Sequence, residues 1–225
     1  MTAATLIDAT LTRLDQPIDG TGFYSRPEAL QAVNTAQRLV CFLSLCLEST
    51  ASTTIDPSAA IYSHDGIAIL RIAQGGVRVE RVSLGSLAAR DAKWYTAQEN
   101  DVESYAPISA SKFAIYARPF LASSLSVTTA RYPAVMSEGS TPEIPEEHHQ
   151  ALADGAAAIL AGMKEGGQEQ TKAKQWLTSY LDAVVDIADA VRNRSRQYRY
   201  DVAPPPLAVD EIIKELMPDG PKRSA

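Results

Sequence analysis

Apolar positions recur at helical spacing from residue 145 to 198 and predict two long antiparallel helices joined by a tight turn. Gly166-Gly167 is typical of the end of the first helix. The second helix carries one apolar stripe, formed by Trp176, Tyr180, Val184, Ile187 and Val191. Helices joined by a short turn pack face to face. Neither helix can bury its stripe alone, so we expect a third helix against the pair.

The third helix is predicted from Ser25 to about Thr50. Ser25 and Glu28 have the spacing of a capping box, which starts a helix. Residues 39–47 are apolar on almost every side, which is typical of a helix surrounded by protein. We expect the three helices to share one core, which includes Phe42, Leu45, Trp176, Val184 and Ile187.

The pattern changes near Ala51, where a stretch rich in Ser, Thr, Asp and Pro is followed by short β-like runs. Gly75-Gly76 reads as a hairpin turn between two of them. The predicted fold is therefore mainly α, an antiparallel helical bundle with an inserted β-rich segment and an extended C-terminal arm. The predicted ranges are 1–51 and 145–200 for the bundle, 52–144 for the insertion and 201–225 for the arm.

The predicted arm begins with a stiff spacer, Pro204-Pro205-Pro206, followed by a short amphipathic helix. A helix of this length is marginal in isolation and needs a surface to pack on. We expect it to dock on a partner or a neighbouring subunit through Ile212, Ile213, Leu216 and Met217. The alternative is that it folds back on its own bundle.

Charge and composition favour a protein that does not bind nucleic acid by its phosphates. The formal net charge is −6, and no basic cluster dominates the chain. No apolar run reaches the ~20 residues of a membrane span, and the first 20 residues do not resemble a signal peptide. Cys41 and Cys46 point about 140° apart on one predicted helix, so we expect unpaired thiols and a reducing compartment.

Motifs for enzymatic chemistry are missing from the sequence. Neither a phosphate-binding loop nor a nucleophile elbow is present. The cluster Glu146-Glu147-His148-His149 lacks the spacing of a zinc motif, and a solvated first helical turn explains it better. We expect no metal, no cofactor and no enzymatic activity, although a small enzyme with an unrecognised site is an alternative.

Five segments follow one another in an order that is similar to one known family. They are Tyr24-Ser25-Arg26-Pro27-Glu28-Ala29-Leu30 with Asn34, then Trp94, Phe113-Ala114-Ile115-Tyr116-Ala117-Arg118-Pro119, Ala130-Arg131-Tyr132-Pro133, and the Ile144-Pro145-Glu146-Glu147 entry to the helix pair. This order resembles the head–tail adaptor, or connector, proteins of tailed bacteriophages. The resemblance covers about residues 3–200.

The resemblance implies a structural virion protein. Such proteins form a ring, usually of twelve copies, beneath the portal of the filled head. The ring extends the DNA channel and provides a platform for tail or stopper proteins. The implied partners are the portal, neighbouring copies, tail or stopper proteins and DNA that passes without sequence-specific binding, with no membrane. The implied location is the virion neck, after assembly in the host cytoplasm. Another neck protein, such as a tail-completion or stopper protein, is the nearest alternative.

Overall fold

The fold is mixed α/β, with 44% of residues in helices and 22% in strands. The computed structural model describes residues 1–162 and 167–216. The prediction of a mainly α helical bundle is therefore wrong. It failed because Glu48–Ile55, a polar run of Ser and Thr that has no apolar alternation, forms a full strand in a large antiparallel sheet.

The helices account for most of the first 45 residues and for the last third of the chain. Their bounds are α1 Ala3–Arg13, α2 Arg26–Ser44, α3 Leu84–Arg90, α4 His149–Gly162, α5 Gly167–Tyr198 and α6 Val209–Leu216. Short 3-10 turns lie at Trp94–Thr96 and Glu146–His148. Gly166, the first residue of the predicted turn between α4 and α5, lies outside the described residues.

The strands form two four-stranded sheets and one small two-stranded sheet. They are β1 Glu48–Ile55, β2 Ile61–Ser63, β3 Ala68–Gln74, β4 Val77–Arg78, β5 Glu80–Arg81, β6 Gln98–Glu99, β7 Ser104–Ser109, β8 Lys112–Tyr116, β9 Arg118–Pro119 and β10 Ser123–Ala130. The strand orders are β1-β10-β3-β4, β2-β8-β7-β5 and β6-β9. Gly75 and Gly76, both with positive φ, make the predicted hairpin turn between β3 and β4.

The chain divides into two compact units. The helical unit contains residues 1–46, 133–190 and 205–225, and the β unit contains residues 47–132 and 191–204. These ranges differ from the predicted ones at every boundary, since residues 47–51 and 201–204 cluster with the β unit and residues 205–216 cluster with the helical unit. Residues 133–144 cluster with the helices rather than with the insertion, and the last turns of α5 cluster with the sheets.

The helical unit packs α1, α2 and α4 together, and α5 joins them through a buried tyrosine. The Tyr180 hydroxyl donates a hydrogen bond of 2.8 Å to the carbonyl oxygen of Ala36 on α2. Gly155 on α4 lies directly against the Tyr180 ring, because a Cβ at this position would come within 2.6 Å of it. A glycine is therefore needed here for α4 and α5 to approach so closely.

The side chains predicted to form the helical core do not all lie inside. Leu45, Val184 and Ile187 are buried, whereas Trp176 is only partly buried and Phe42 is 50% exposed. The prediction for Phe42 is wrong because α2 buries one face only. Its buried residues follow helical spacing from Ala29 to Ser44, which leaves Phe42 on the outer face.

The two four-stranded sheets of the β unit share one hydrophobic core. One sheet contributes Ile55, Ile69, Ile72, Leu125 and Val127, and the other contributes Tyr105, Phe113 and Ile115. The Tyr105 and Phe113 rings meet edge to face, with their centroids 6.3 Å apart. A core that is built from both sheets makes the β unit a substantial folded body.

Candidate assembly surfaces

The histidine cluster at the start of α4 has a structural role. His149 is buried, and its Nε2 lies 2.9 Å from the carbonyl oxygen of Ile144. Its Nδ1 lies 3.3 Å from the amino group of Met1, and the Glu146 carboxylate lies 3.6 Å from the same amine. His149 and Glu146 therefore hold the amino group of Met1, two residues before α1 begins. Within residues 1–162 and 167–216, no group of three or more His, Cys, Asp or Glu side chains is placed to hold a metal ion.

None of the helices in the described ranges combines the length and the apolar character needed to cross a membrane.

Glu48, at the start of β1, anchors the end of α5 within the β unit. One carboxylate oxygen lies 2.8 Å from a guanidinium nitrogen of Arg194. The other accepts a hydrogen bond of 2.7 Å from the Tyr200 hydroxyl. Burial, together with the neighbouring carboxylate, raises the pKa of Tyr200 to about 12. The phenol therefore remains a donor at any physiological pH.

Asp201 anchors the chain a second time, one residue beyond Tyr200. Its side chain is only 1% exposed, and it accepts hydrogen bonds from the Arg78 guanidinium and, at 2.8 Å, from the Tyr105 hydroxyl. Its backbone N–H donates to the carbonyl of Leu70 at 2.7 Å, and its carbonyl accepts from Arg81 at 3.0 Å. Burial raises the pKa of Tyr105, and the carboxylate of Asp201 raises it further.

Because of these contacts, the C-terminal arm starts later in the chain than the sequence predicted. The sequence predicts an arm from residue 201, but Asp201 is fixed on the β unit and Pro204 is buried there. The Pro204 carbonyl also accepts a hydrogen bond of 3.5 Å from Arg192. A segment able to reach a partner can therefore begin only after Pro204.

The predicted docking residues lie on and beyond α6. Ile212 and Ile213 are partly buried on this helix, which clusters with the helical unit. Leu216 ends the helix, and nothing further is described of its side chain. Met217 lies outside the described residues.

An open cleft of about 600 Å³ lies beside Asp201 in the β unit. Its lining residues are Arg78, Arg81, Val82, Ser83, Leu84, Pro107, Tyr200 and Asp201. Arg78 pairs with the Asp201 carboxylate and Arg81 donates to the Asp201 backbone carbonyl, so both arginines hold the chain in place. The cleft therefore supports a structural role better than a catalytic one.

Strand β1 forms an open edge of its sheet, because β10 is its one neighbour among the described strands. The Arg131 N–H donates to the carbonyl of Leu47, which lies opposite it in the antiparallel register. Backbone groups of an antiparallel pair alternate in direction. The N–H and C=O groups of Thr50, Ser52 and Thr54 therefore point away from β10. All three residues are exposed. We call these outward groups the β1 edge.

Large apolar side chains are exposed in both units. On the outer face of α2, Leu39 is 40% exposed and Phe42 is 50% exposed, one helical turn apart. In the β unit, Phe120 and Leu121 are 56% and 80% exposed at the turn before β10. Exposed apolar groups in clusters are typical of surfaces that are covered in an assembly.

The model of the SU10 adaptor protein family matches residues 1–210. The chain belongs to the SU10 adaptor protein family. No curated protein matches the chain. Membership confirms the resemblance to phage head–tail adaptors that the order of motifs indicated, and makes the chain a phage adaptor protein and a virion component. A family of adaptors favours a structural role over an enzymatic one. The match ends inside α6, so Ile212, Ile213, Leu216 and Met217 lie beyond it.

Two anchoring residues of this adaptor, Glu48 and Asp201, were missed by reasoning from sequence. The one local signal is the run Tyr198-Arg199-Tyr200-Asp201, whose aromatic and charged residues sit between a helix end and a proline spacer. Such residues are atypical of a free linker. Their partners are far away in the sequence, so the pattern alone does not identify them.

Proposed function

We propose that this adaptor forms a ring beneath the portal, extends the channel through which DNA leaves the head, and provides a platform for tail attachment. The family match over residues 1–210 carries the proposal. The charge of −6 supports it, since an acidic protein does not retain passing DNA by its phosphates. The proposed partners are the portal, neighbouring copies in a ring of twelve, and tail or stopper proteins, after assembly in the host cytoplasm.

A closed ring needs two different surfaces on each copy, because its contacts are heterologous. We assign the β1 edge to one of them, covered by an extended segment of the neighbouring copy. Exposed strand edges are normally protected by Lys, Pro or a bulge. Residues 49–54 contain neither Lys nor Pro, and their pairing with β10 is regular. Strand addition would satisfy the outward N–H and C=O groups.

The Ser52→Pro variant tests the β1 edge. Its missing N–H points outward, so the β1–β10 ladder keeps its hydrogen bonds and the protein should stay folded. We expect it to keep its circular dichroism spectrum but to fail to form rings when it is mixed with the portal. Ser52→Thr, which keeps the N–H and the β propensity, is the matched control. Normal rings from a folded Ser52→Pro protein would remove the β1 edge from the interface.

The apolar residues Ile212, Ile213, Leu216 and Met217 are proposed to dock in a groove on the portal or a neighbouring subunit, as an amphipathic helix does. Deletion of residues 207–225 tests this and leaves the anchors at Asp201 and Pro204 in place. We expect an unchanged melting temperature and lost attachment to the portal. Normal attachment would refute the docking, and unfolding would show that α6 stabilises its own helical unit.

The ring itself is tested by electron microscopy of the purified adaptor, alone and mixed with its portal. We expect a monomer or weak associations alone, and a twelvefold ring on the portal. A stable twofold dimer in both samples would contradict the proposal. Binding to tail-side proteins without any affinity for the portal would identify a stopper or tail-completion protein instead.

A further inference from the structure

The two cysteines of the chain lie side by side, although the sequence predicted that they point apart. The Sγ atoms of Cys41 and Cys46 are 3.8 Å apart. The prediction assumed that α2 continues to about residue 50. In the structure α2 ends at Ser44, so Cys46 lies beyond the helix.

The turn after α2 explains why the two sulfur atoms meet. Leu45 adopts the left-handed conformation, with φ 53° and ψ 33°, and its N–H donates to the carbonyl of Cys41 at 3.0 Å. This is the helix-ending motif in which a left-handed residue bonds back to the last turn. The chain reverses there, and the residue after the turn contacts the residue that accepts the bond. Here those two residues are Cys46 and Cys41.

Accessibility differs between the two thiols. Cys41 is fully buried, whereas Cys46 is partly exposed. A small oxidant in solution can therefore reach the Cys46 sulfur first. Cys41 is then the nearest thiol that could attack Cys46, and no other cysteine exists in the chain to compete with it.

We propose that Cys41 and Cys46 form a redox pair that closes into an intrachain disulfide when the protein meets a small-molecule disulfide. The Cys46 thiolate attacks one sulfur of the oxidant, forms a mixed disulfide and releases one thiol. The Cys41 thiolate then attacks the Cys46 sulfur and releases the second thiol. Two protein thiols are oxidised and one disulfide is reduced. The two protons lost by the cysteines go to the two leaving thiolates.

Closure requires the sulfur atoms, now 3.8 Å apart, to approach to about 2.05 Å, and rotation about the Cα–Cβ bond of each cysteine moves its sulfur atom. The disulfide would tie the end of α2 to Cys46, the residue directly before the β unit begins. Thiols persist in a reducing cytoplasm, and disulfides persist outside the cell. The bond would therefore form after the protein leaves a reducing compartment, and the proposal is independent of ring formation.

Oxidised glutathione, added to the reduced full-length protein, tests the pair by intact mass spectrometry. We expect the wild type to lose the mass of two hydrogen atoms, to carry no glutathione, and to regain its mass with a reductant. Cys41→Ala should stop at one glutathione adduct on Cys46. Cys46→Ser should react much more slowly, because its remaining thiol is buried.

Peptide mapping without reduction should join Cys41 to Cys46 within one chain. A wild type that accumulates a stable glutathione adduct, links two chains or does not react would overturn the proposal. These readouts on the wild type decide the question even if a substitution at the buried Cys41 impairs folding.

Discussion

Replacing Asp201 by Ala should loosen the end of α5 from the β unit. The substitution leaves the Tyr105 hydroxyl, inside a fully buried residue, without its acceptor. A buried donor that loses its partner costs about 1–3 kcal/mol. The Arg78 side chain is 41% exposed, so water replaces much of its lost ion pair and the added cost is about 0–1 kcal/mol. We expect a total loss of about 1–4 kcal/mol in the free energy of unfolding of the β unit.

Thermal unfolding and hydrogen exchange measure this effect. For a unit of about 100 residues, the loss should lower the melting temperature by about 4 °C or more. The Asp201 amide, which donates to Leu70, should lose its protection in the variant or exchange much faster. Because the chain has two units, exchange at this amide separates a local effect from a global one.

Two further variants make the test specific. Asp101→Ala removes an exposed carboxylate from the same unit and should change stability by less than about 0.5 kcal/mol. Tyr105→Phe removes the hydroxyl that Asp201→Ala would leave unsatisfied, so the double variant should cost less than the sum of the two single ones. An Asp201→Ala protein as stable and as protected as Asp101→Ala would refute the anchor.

Gly155→Ala should cost about 1–3 kcal/mol of stability in denaturant unfolding, because its Cβ would press on the Tyr180 ring; no loss would contradict the close approach of α4 and α5. Trp176→Ala should cost less than the about 3–5 kcal/mol of a fully buried tryptophan, since Trp176 is only partly buried; a larger loss in the same assay would contradict this. Burial lowers the pKa of His64, so an NMR titration should place this pKa below about 6.5. Stability should fall as the pH drops below about 6.5, because there the unfolded chain binds a proton that the folded chain does not. A measured pKa above about 6.5 would refute the effect of burial.

The elements that the sequence predicted well are those with local signals. The capping box is present as expected, with the Ser25 N–H donating to the Glu28 carboxylate at 2.8 Å and α2 beginning at Arg26. The long apolar stripe of α5 placed Val184 and Ile187 on the inner side. Capping and helical periodicity depend on residues a few positions apart, so they can be read from one sequence.

The end of α2 and the strand after it could not be read in this way. Residues 39–47 are apolar enough to suggest a continuing helix, but Leu45 takes the left-handed conformation that usually belongs to glycine. The strand β1 is specified by its pairing with β10, about 80 residues away. Its own side chains, mostly Ser and Thr on an exposed edge, show no apolar alternation that could reveal it. Because the predicted helix continued past Ser44, neither the strand β1 nor the proximity of Cys41 and Cys46 was predicted.

The anchor at Asp201 could not be predicted from the sequence for a related reason. Asp201 is fixed by Tyr105, Arg78 and the Leu70 carbonyl, all of which lie about 100 residues or more earlier in the chain. From the sequence alone, a single acidic residue before three prolines resembles the start of a solvent-exposed linker. In the structure, these contacts fix Asp201 on the β unit.

That fixed point limits where the proposed arm can dock. Four residues, 205–208, lie between Pro204 and the start of α6 at Val209, and the five steps of about 3.1 Å that a proline-rich spacer makes span about 15 Å. Ile213 lies four residues after Val209 along α6, which adds about 6 Å. A groove that binds Ile212 and Ile213 must therefore lie within about 20–25 Å of Pro204. A groove on the portal satisfies this only if the β unit itself sits beside the portal. Crosslinkers placed at the exposed residue 203 and at residue 212 of the assembled ring should therefore reach the same partner surface. Crosslinks to surfaces farther apart than this reach would exclude the arm as the point of attachment.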